Sequence, residues 1–280
     1  MKKIKMLALL AVAGVATLGC QKAENTSGKQ QALKQEGMEL QTAGDYEGAI
    51  AKYEEALKCA DMEVGPGEID LAFYKASAQY RSGDLEGAIE TFCAVLDFKE
   101  DVNAYLGRGL LYLKAEDAKK AEDDLNKALK ETGDPMIKGI IYQVVNQPEK
   151  AKENFEKAKK EGNEEATYYL AKVYEAEGDQ NYAMILLEEY LASGKAGAEG
   201  YLTVAHTYFA EGRYEEALGI LQEGIALGES GALKNLMQEE IACYEQLGNF
   251  EAARETAAAY LEKYPEDAAI QKEYEFLKSR

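Results

Sequence analysis

A phrase of fourteen residues returns along the chain with small changes. It reads GDYEGAIAKYEEAL from Gly44, GDLEGAIETFCAVL from Gly83 and GRYEEALGILQEGI from Gly212. A fixed period of this kind constrains a fold more than composition does, because each copy must solve the same packing problem. The alanines that close the phrase mark the period: Ala49, Ala88, Ala121, Ala151, Ala183, Ala217 and Ala253 stand 39, 33, 30, 32, 34 and 36 residues apart.

Each unit reads as two helices. Leu33, Gly37 and Leu40 share one face at helical spacing. Gly44 then ends the helix, since glycine takes the left-handed conformation at little cost. Asp45 is placed to cap the next helix by accepting a backbone N–H. Ala49, Tyr53, Ala56 and Leu57 make that second helix's apolar face. Helices packed ~8–10 Å apart need small side chains where they cross. Gly37, Ala76, Gly109, Gly139, Ala171 and Ala205 supply them in the first helices, and the marker alanines in the second. Tyr112, Tyr142, Tyr174, Tyr208 and Tyr244 fill the flanks, with Tyr53, Phe92, Leu125, Phe155, Leu187 and Leu221.

The pattern resembles the tetratricopeptide repeat family over nearly all of the chain beyond its first residues. The resemblance implies an all-α fold, a right-handed α-solenoid of about seven helix-turn-helix repeats. They start near Gln30, Ile69, Val102, Thr132, Glu164, Ala198 and Lys234 and span 30–266, with one continuous core. Residues 267–280 read as a capping helix, because a solenoid needs a polar-backed lid on its last apolar face. Four places depart from the pattern. Asp61 to Gly67 reads as an inserted turn-rich loop. Glu116 stands where glycine is expected. The fourth repeat is short, opening late at Pro135 and turning at Asn146-Gln147-Pro148. Ile241 occupies a small-residue position, so the register there is expected to slip to Ala242.

The N-terminus belongs to a different grammar. Lys2, Lys3 and Lys5 precede an uncharged apolar run from Met6 to Gly19, too short to span a bilayer as a helix. Gly19-Cys20 then gives way to a polar stretch. This end resembles a bacterial lipoprotein signal. The resemblance implies cleavage of residues 1–19, a lipid on the Cys20 sulfur, and residues 20–29 as a flexible linker outside the cytoplasmic membrane. Two or more acyl chains hold a protein firmly where one does not. The alternative is an ordinary export signal with an incidental cysteine. Cleavage removes three of the 32 basic residues and none of the 51 acidic ones, leaving a net charge of −22. Such a surface repels nucleic acid and anionic headgroups. It either favours a basic partner or serves only solubility. Cys59, Cys93 and Cys243 are an odd number with no metal-ligand spacing, which suggests buried small hydrophobes rather than a disulfide framework.

In the family, first-helix positions off the packing face look into a concave groove. Carried over residue by residue, the resemblance makes Phe73, Tyr80, Arg81, Leu106, Leu110, Leu113, Ile140, Val144, Tyr168, Lys172, His206 and Phe209 the candidate partner-binding residues. The apolar members of repeats two to four form a stripe suited to an apolar or amphipathic partner helix. Alternatively, the short fourth repeat lets neighbours close over them as core. Lys34 stands in one place of the clamp that some members use for acidic C-termini, but Met38 and Ser77 lack the amide it needs, so that recognition is not expected. His206 is the only histidine and has no nearby metal-ligating residues in sequence. Gly107-Arg108-Gly109 lies inside a helix pattern and follows no strand, so it is no phosphate loop. The expected protein is therefore not an enzyme and needs no cofactor, metal or small-molecule substrate. It is a lipid-anchored scaffold for a protein or peptide partner in the bacterial cell envelope. The alternative is an adaptor subunit of an envelope machine, for outer-membrane protein insertion or control of cell-wall hydrolases.

Overall fold

The computed structural model describes residues 26–59, 64–228 and 230–280. The signal, Cys20 and the insertion at Asp61 to Glu63 lie outside them. The described residues form fifteen helices and no strand. They fall into two compact units, and the chain passes from one to the other between Gly133 and Asp134. The first unit holds α1 (Thr26–Thr42), α2 (Tyr46–Lys58), α3 (Pro66–Ser82), α4 (Leu85–Phe98), α5 (Val102–Lys114) and α6 (Ala118–Glu131). The second begins with α7 (Pro135–Val144), α8 (Pro148–Lys160), α9 (Glu165–Glu177) and α10 (Gln180–Ala192). It continues with α11 (Ala198–Ala210), α12 (Tyr214–Ala226), α13 (Ser230–Gln246), α14 (Phe250–Lys263) and α15 (Ala268–Leu277). Each odd-numbered helix from α1 to α13 packs against the even-numbered helix after it, so the described residues make seven hairpins and a final helix.

The marker alanines explain the close approach. All seven are buried, none more than 3% exposed. Glycine takes the extreme case: a Cβ on Gly37 would lie 2.5 Å from the Tyr53 ring, and one on Gly139 would lie 2.4 Å from the Phe155 ring. The small residue on one helix is thus the socket for the large one on its partner. Full burial of each such Phe, Tyr or Leu contributes about 1.5–3 kcal/mol. Most of the buried apolar residues gather in three clusters, one in the first unit and two in the second, rather than in the single core expected. Within the third hairpin an ion pair, Arg108 with Asp124, stands where the fifth hairpin buries Leu170 and Leu186.

The turns follow the repeat. Asp45, Asp84, Asp117, Asp179 and Asn249 each accept a hydrogen bond from the backbone N–H three residues on. Before each of these caps, and before Gln147 and Arg213, sits a residue in the left-handed region. It is glycine in five hairpins, but Glu116 (φ 59°) and Asn146 (φ 56°) in the third and fourth. A side chain there costs about 1–2 kcal/mol, partly offset by the extra entropy that glycine loses on folding. Glu116→Gly is therefore expected to stabilise the protein by about 1 kcal/mol, read as a higher urea midpoint at unchanged slope.

Some boundaries differ from the expectation. Residues 26–29, read as linker, form the first turn of α1. Pro66 and Gly67, read as loop, open α3, where the Glu68 carboxylate accepts from the Gly65 N–H at 2.7 Å. The seventh hairpin does not slip to Ala242. Ile241 stays inward at 2% exposure, and its counterpart on α14 is Ala257, at 0%. Large and small have changed sides, which conserves the packed volume. Among the described cysteines only Cys243 is buried; Cys59 and Cys93 are half-buried, and these three are free thiols. Burial first, then Glu239 and Glu240, pushes the Cys243 thiol up to about 12.

Asp267 caps α15, accepting from the Ala269 and Ile270 N–H groups, and also from the Tyr260 hydroxyl at 2.7 Å. Nearby, burial, a hydrogen bond with Glu273 and that residue's charge raise the Glu245 carboxyl from 4.5 to about 7. The folded chain thus keeps a proton that the unfolded chain has released. The stabilisation is complete below about pH 4.5 and is lost as pH rises through 7. Hydrogen exchange in α15 is expected to quicken between pH 6 and 8 beyond the intrinsic pH trend, and Glu245→Gln should remove the excess.

Candidate partner-binding groove

In the first unit, α3 and α5 present one face each to an open pocket of about 690 Å³. Its walls are Phe73, Ala76, Ser77 and Tyr80 from α3, Gly107, Leu110, Leu111, Leu113 and Lys114 from α5, and Phe92 from α4. The face follows from helical spacing: Phe73, Ser77 and Tyr80 recur at i, i+4 and i+7, as do Leu106, Leu110 and Leu113. Two of the apolar walls are well exposed, Tyr80 at 45% and Leu113 at 39%. Phe73, Leu106 and Leu110 are half-buried and Arg81 is exposed.

Phe92 gives the pocket its floor. Its ring meets Phe73 edge-on at a centroid distance of 5.3 Å. The ring fits because residue 107 is glycine: a Cβ there would come within 2.6 Å of it. Phe73 also borders a second, more polar depression of about 380 Å³, together with Asp70, Lys99, Asp101 and Asn103. The groove thus has an apolar half and a polar half that share one aromatic ring. Lys34 is tied to Asp70 and lies 4.7 Å from the Tyr74 ring centroid.

The structure brings Phe73, Tyr80, Leu110 and Leu113 to one pocket. Leu106 lies on the same helix but not in the pocket wall. Ile140 and Val144 belong to the second unit, where both are half-buried and Ile140 packs against the core. Tyr168 is held by Tyr169 and Tyr190 at 5.6 Å each, and Lys172 pairs with Glu175 at 3.1 Å. Phe209 meets Tyr214 edge-on at 5.1 Å. His206 is exposed, with Nδ1 2.9 Å from Glu239 Oε1. Each of these four is engaged by neighbours of its own. Among the described residues, no three His, Cys, Asp or Glu side chains come together as a metal cage requires.

Sequence reasoning placed Phe92 only as a packing residue and weighed Gly107 only as part of a rejected phosphate loop. A glycine in mid-helix, with no turn to make, was the available signal that a large side chain approaches there.

Comparison with known proteins agrees with this architecture. Tetratricopeptide repeat profiles match residues 34–100, 102–134 and 208–272. No curated protein matches the chain. Among solved structures, PilW, described as a widely conserved type IV pilus biogenesis factor, is 19% identical with a TM-score of 0.50, over 87% of this chain and 97% of that one. The Cut9–Hcn1 hetero-tetramer of APC/C is 12% identical with a TM-score of 0.53, over 99% of this chain, which spans 62% of that one. A tetratricopeptide repeat protein from Parabacteroides merdae is 18% identical with a TM-score of 0.49, over 90% of this chain and all of that one. At these identities the likeness is one of fold. The matched profiles together take in more than half of the sequence, and the chain belongs to the tetratricopeptide repeat family.

Proposed function

We propose that the protein is a non-catalytic interaction scaffold, tethered by lipid on Cys20 outside the cytoplasmic membrane. Its first-unit groove holds a segment of a protein partner in the cell envelope. The observation that carries the groove reading is the open apolar pocket between α3 and α5. A contiguous apolar surface left exposed to water is unfavourable unless something covers it. The tether rests on the lipoprotein-like residues at the start of the chain, and no described helix is long and apolar enough to cross a membrane. Service as an adaptor subunit of an envelope machine is the narrower form of the same reading. PilW's description as a pilus biogenesis factor is in keeping with it, although the likeness is one of fold.

The test is crosslinking in cells grown with labelled palmitate, comparing the native chain with Phe73→Ser/Leu110→Ser. Both residues are half-buried at the surface of the pocket, so the double variant is expected to keep its helical circular dichroism. Its dominant crosslinked partner should fall at least tenfold, as happens when interface anchors are removed. Loss of helicity would make these residues core. Retention of the partner by a folded variant would move the site elsewhere. Palmitate label that persists in Cys20→Ala would remove the tether.

A further inference from the structure

We infer that the segment held by the apolar half of this groove is amphipathic and acidic: an apolar anchor flanked by carboxylates. This rests on the groove reading above and names the partner's chemistry. The chain as a whole carries 51 acidic against 32 basic residues, yet no carboxylate lines the apolar pocket. Its one charged wall residue is Lys114. Arg81 lies one helical turn beyond Ser77, on the stripe that forms the opposite wall. Both cations are exposed.

A basic residue in the last turn of a helix is often explained by the partial negative charge of the helix end. The other first helices argue against that explanation here. Among the seven, α3 and α5 alone have a basic residue in the last turn; α1, α7, α9, α11 and α13 have none. The two cations thus mark the two helices that build the pocket. The carboxylates that follow these helices are turned to other work. Asp84 accepts from the Gly87 N–H at 2.9 Å, and Asp117 accepts from the Lys120 N–H at 3.2 Å and pairs with the Lys120 ammonium. Glu116 lies in the turn beyond α5, outside the pocket wall.

The net negative charge of the whole chain opposes an acidic ligand. At physiological salt that opposition is damped beyond about 8 Å, whereas contacts at the rim survive. Local pairing therefore decides orientation and partner choice, and the apolar anchor supplies most of the affinity.

The probes are two fluorescein-labelled helical peptides with the same Phe and Leu anchors at i, i+4 and i+7. Their flanking positions are glutamate in one and lysine in the other. Fluorescence anisotropy with the full chain at physiological salt should show the acidic peptide binding about fivefold or more tighter, the scale of two exposed ion pairs. Arg81→Gln/Lys114→Gln should bring the ratio to about one, with unchanged circular dichroism. Equal binding by wild type, or preference for the lysine peptide, with both weakened by Leu110→Ser, overturns the acidic-partner inference and leaves the groove standing. If neither peptide binds wild type, or Leu110→Ser leaves both unaffected, the groove reading fails and the inference with it.

Discussion

Phe155→Ala is expected to cost about 3–5 kcal/mol, the scale for losing a fully buried phenylalanine. The ring is 0% exposed, stacks on Tyr169 at 5.1 Å and fills the socket left by Gly139. Gly139→Ala attacks the same contact from the other side. Its new methyl would lie 2.4 Å from the ring, so the hairpin must open or the ring must turn. Overpacking of that kind costs about 1–3 kcal/mol. The two changes share one contact, so their effects should not add. With the ring gone, the added methyl occupies part of the space left behind, and Gly139→Ala/Phe155→Ala should be less destabilised than the two losses imply. Urea unfolding followed by circular dichroism measures all three variants. Additive losses would mean that the socket does not couple the two helices.

The second large effect concerns Arg108 and Asp124. The guanidinium donates twice to the carboxylate, from Nε at 2.7 Å and from Nη2 at 2.9 Å, and once more to the Cys93 sulfur at 3.2 Å. The Asp124 side chain is 4% exposed and that of Arg108 16%. Removing one partner from such a pair leaves an uncompensated charge and costs about 3–5 kcal/mol. Arg108→Leu should therefore be severe. The double replacement Arg108→Leu/Asp124→Leu should be far milder, and the protein itself contains the precedent. At the equivalent places of the fifth hairpin stand Leu170 and Leu186, 3% and 2% exposed. Thermal melts of the single and double variants decide the matter. A double variant as unstable as the single one would show that the pair contributes more than its own neutralisation.

The hairpin pattern was legible because its cause is local and repeated. A small residue, a turn glycine and a capping Asp or Asn fall at fixed offsets, and burial then follows from helical spacing. Phe73, Leu110 and Leu113 could be read as one stripe for the same reason. The Arg108–Asp124 pair could not, since sixteen residues separate its members and only the mutual placement of α5 and α6 brings them together. Phe92 was hidden by its position on a second helix, where the repeat predicts packing and nothing else. Ile241 misled for a related reason. Judged alone it is too large for its place, and only Ala257, sixteen residues on, shows that the pair has been inverted.

That inversion bears on how such a chain can change. Repeats arise by copying, and a fresh copy is interchangeable with its source. The seventh hairpin no longer is. Grafting α14 onto α7 would set Ala257 opposite Gly139 and open a void. Grafting α8 onto α13 would drive Phe155 into Ile241. Once both sides of a contact have traded sizes, a recombination breakpoint inside the hairpin is penalised from either direction, while one between hairpins leaves this contact whole. The inherited unit is then the hairpin rather than the helix, and each hairpin carries its own private fit.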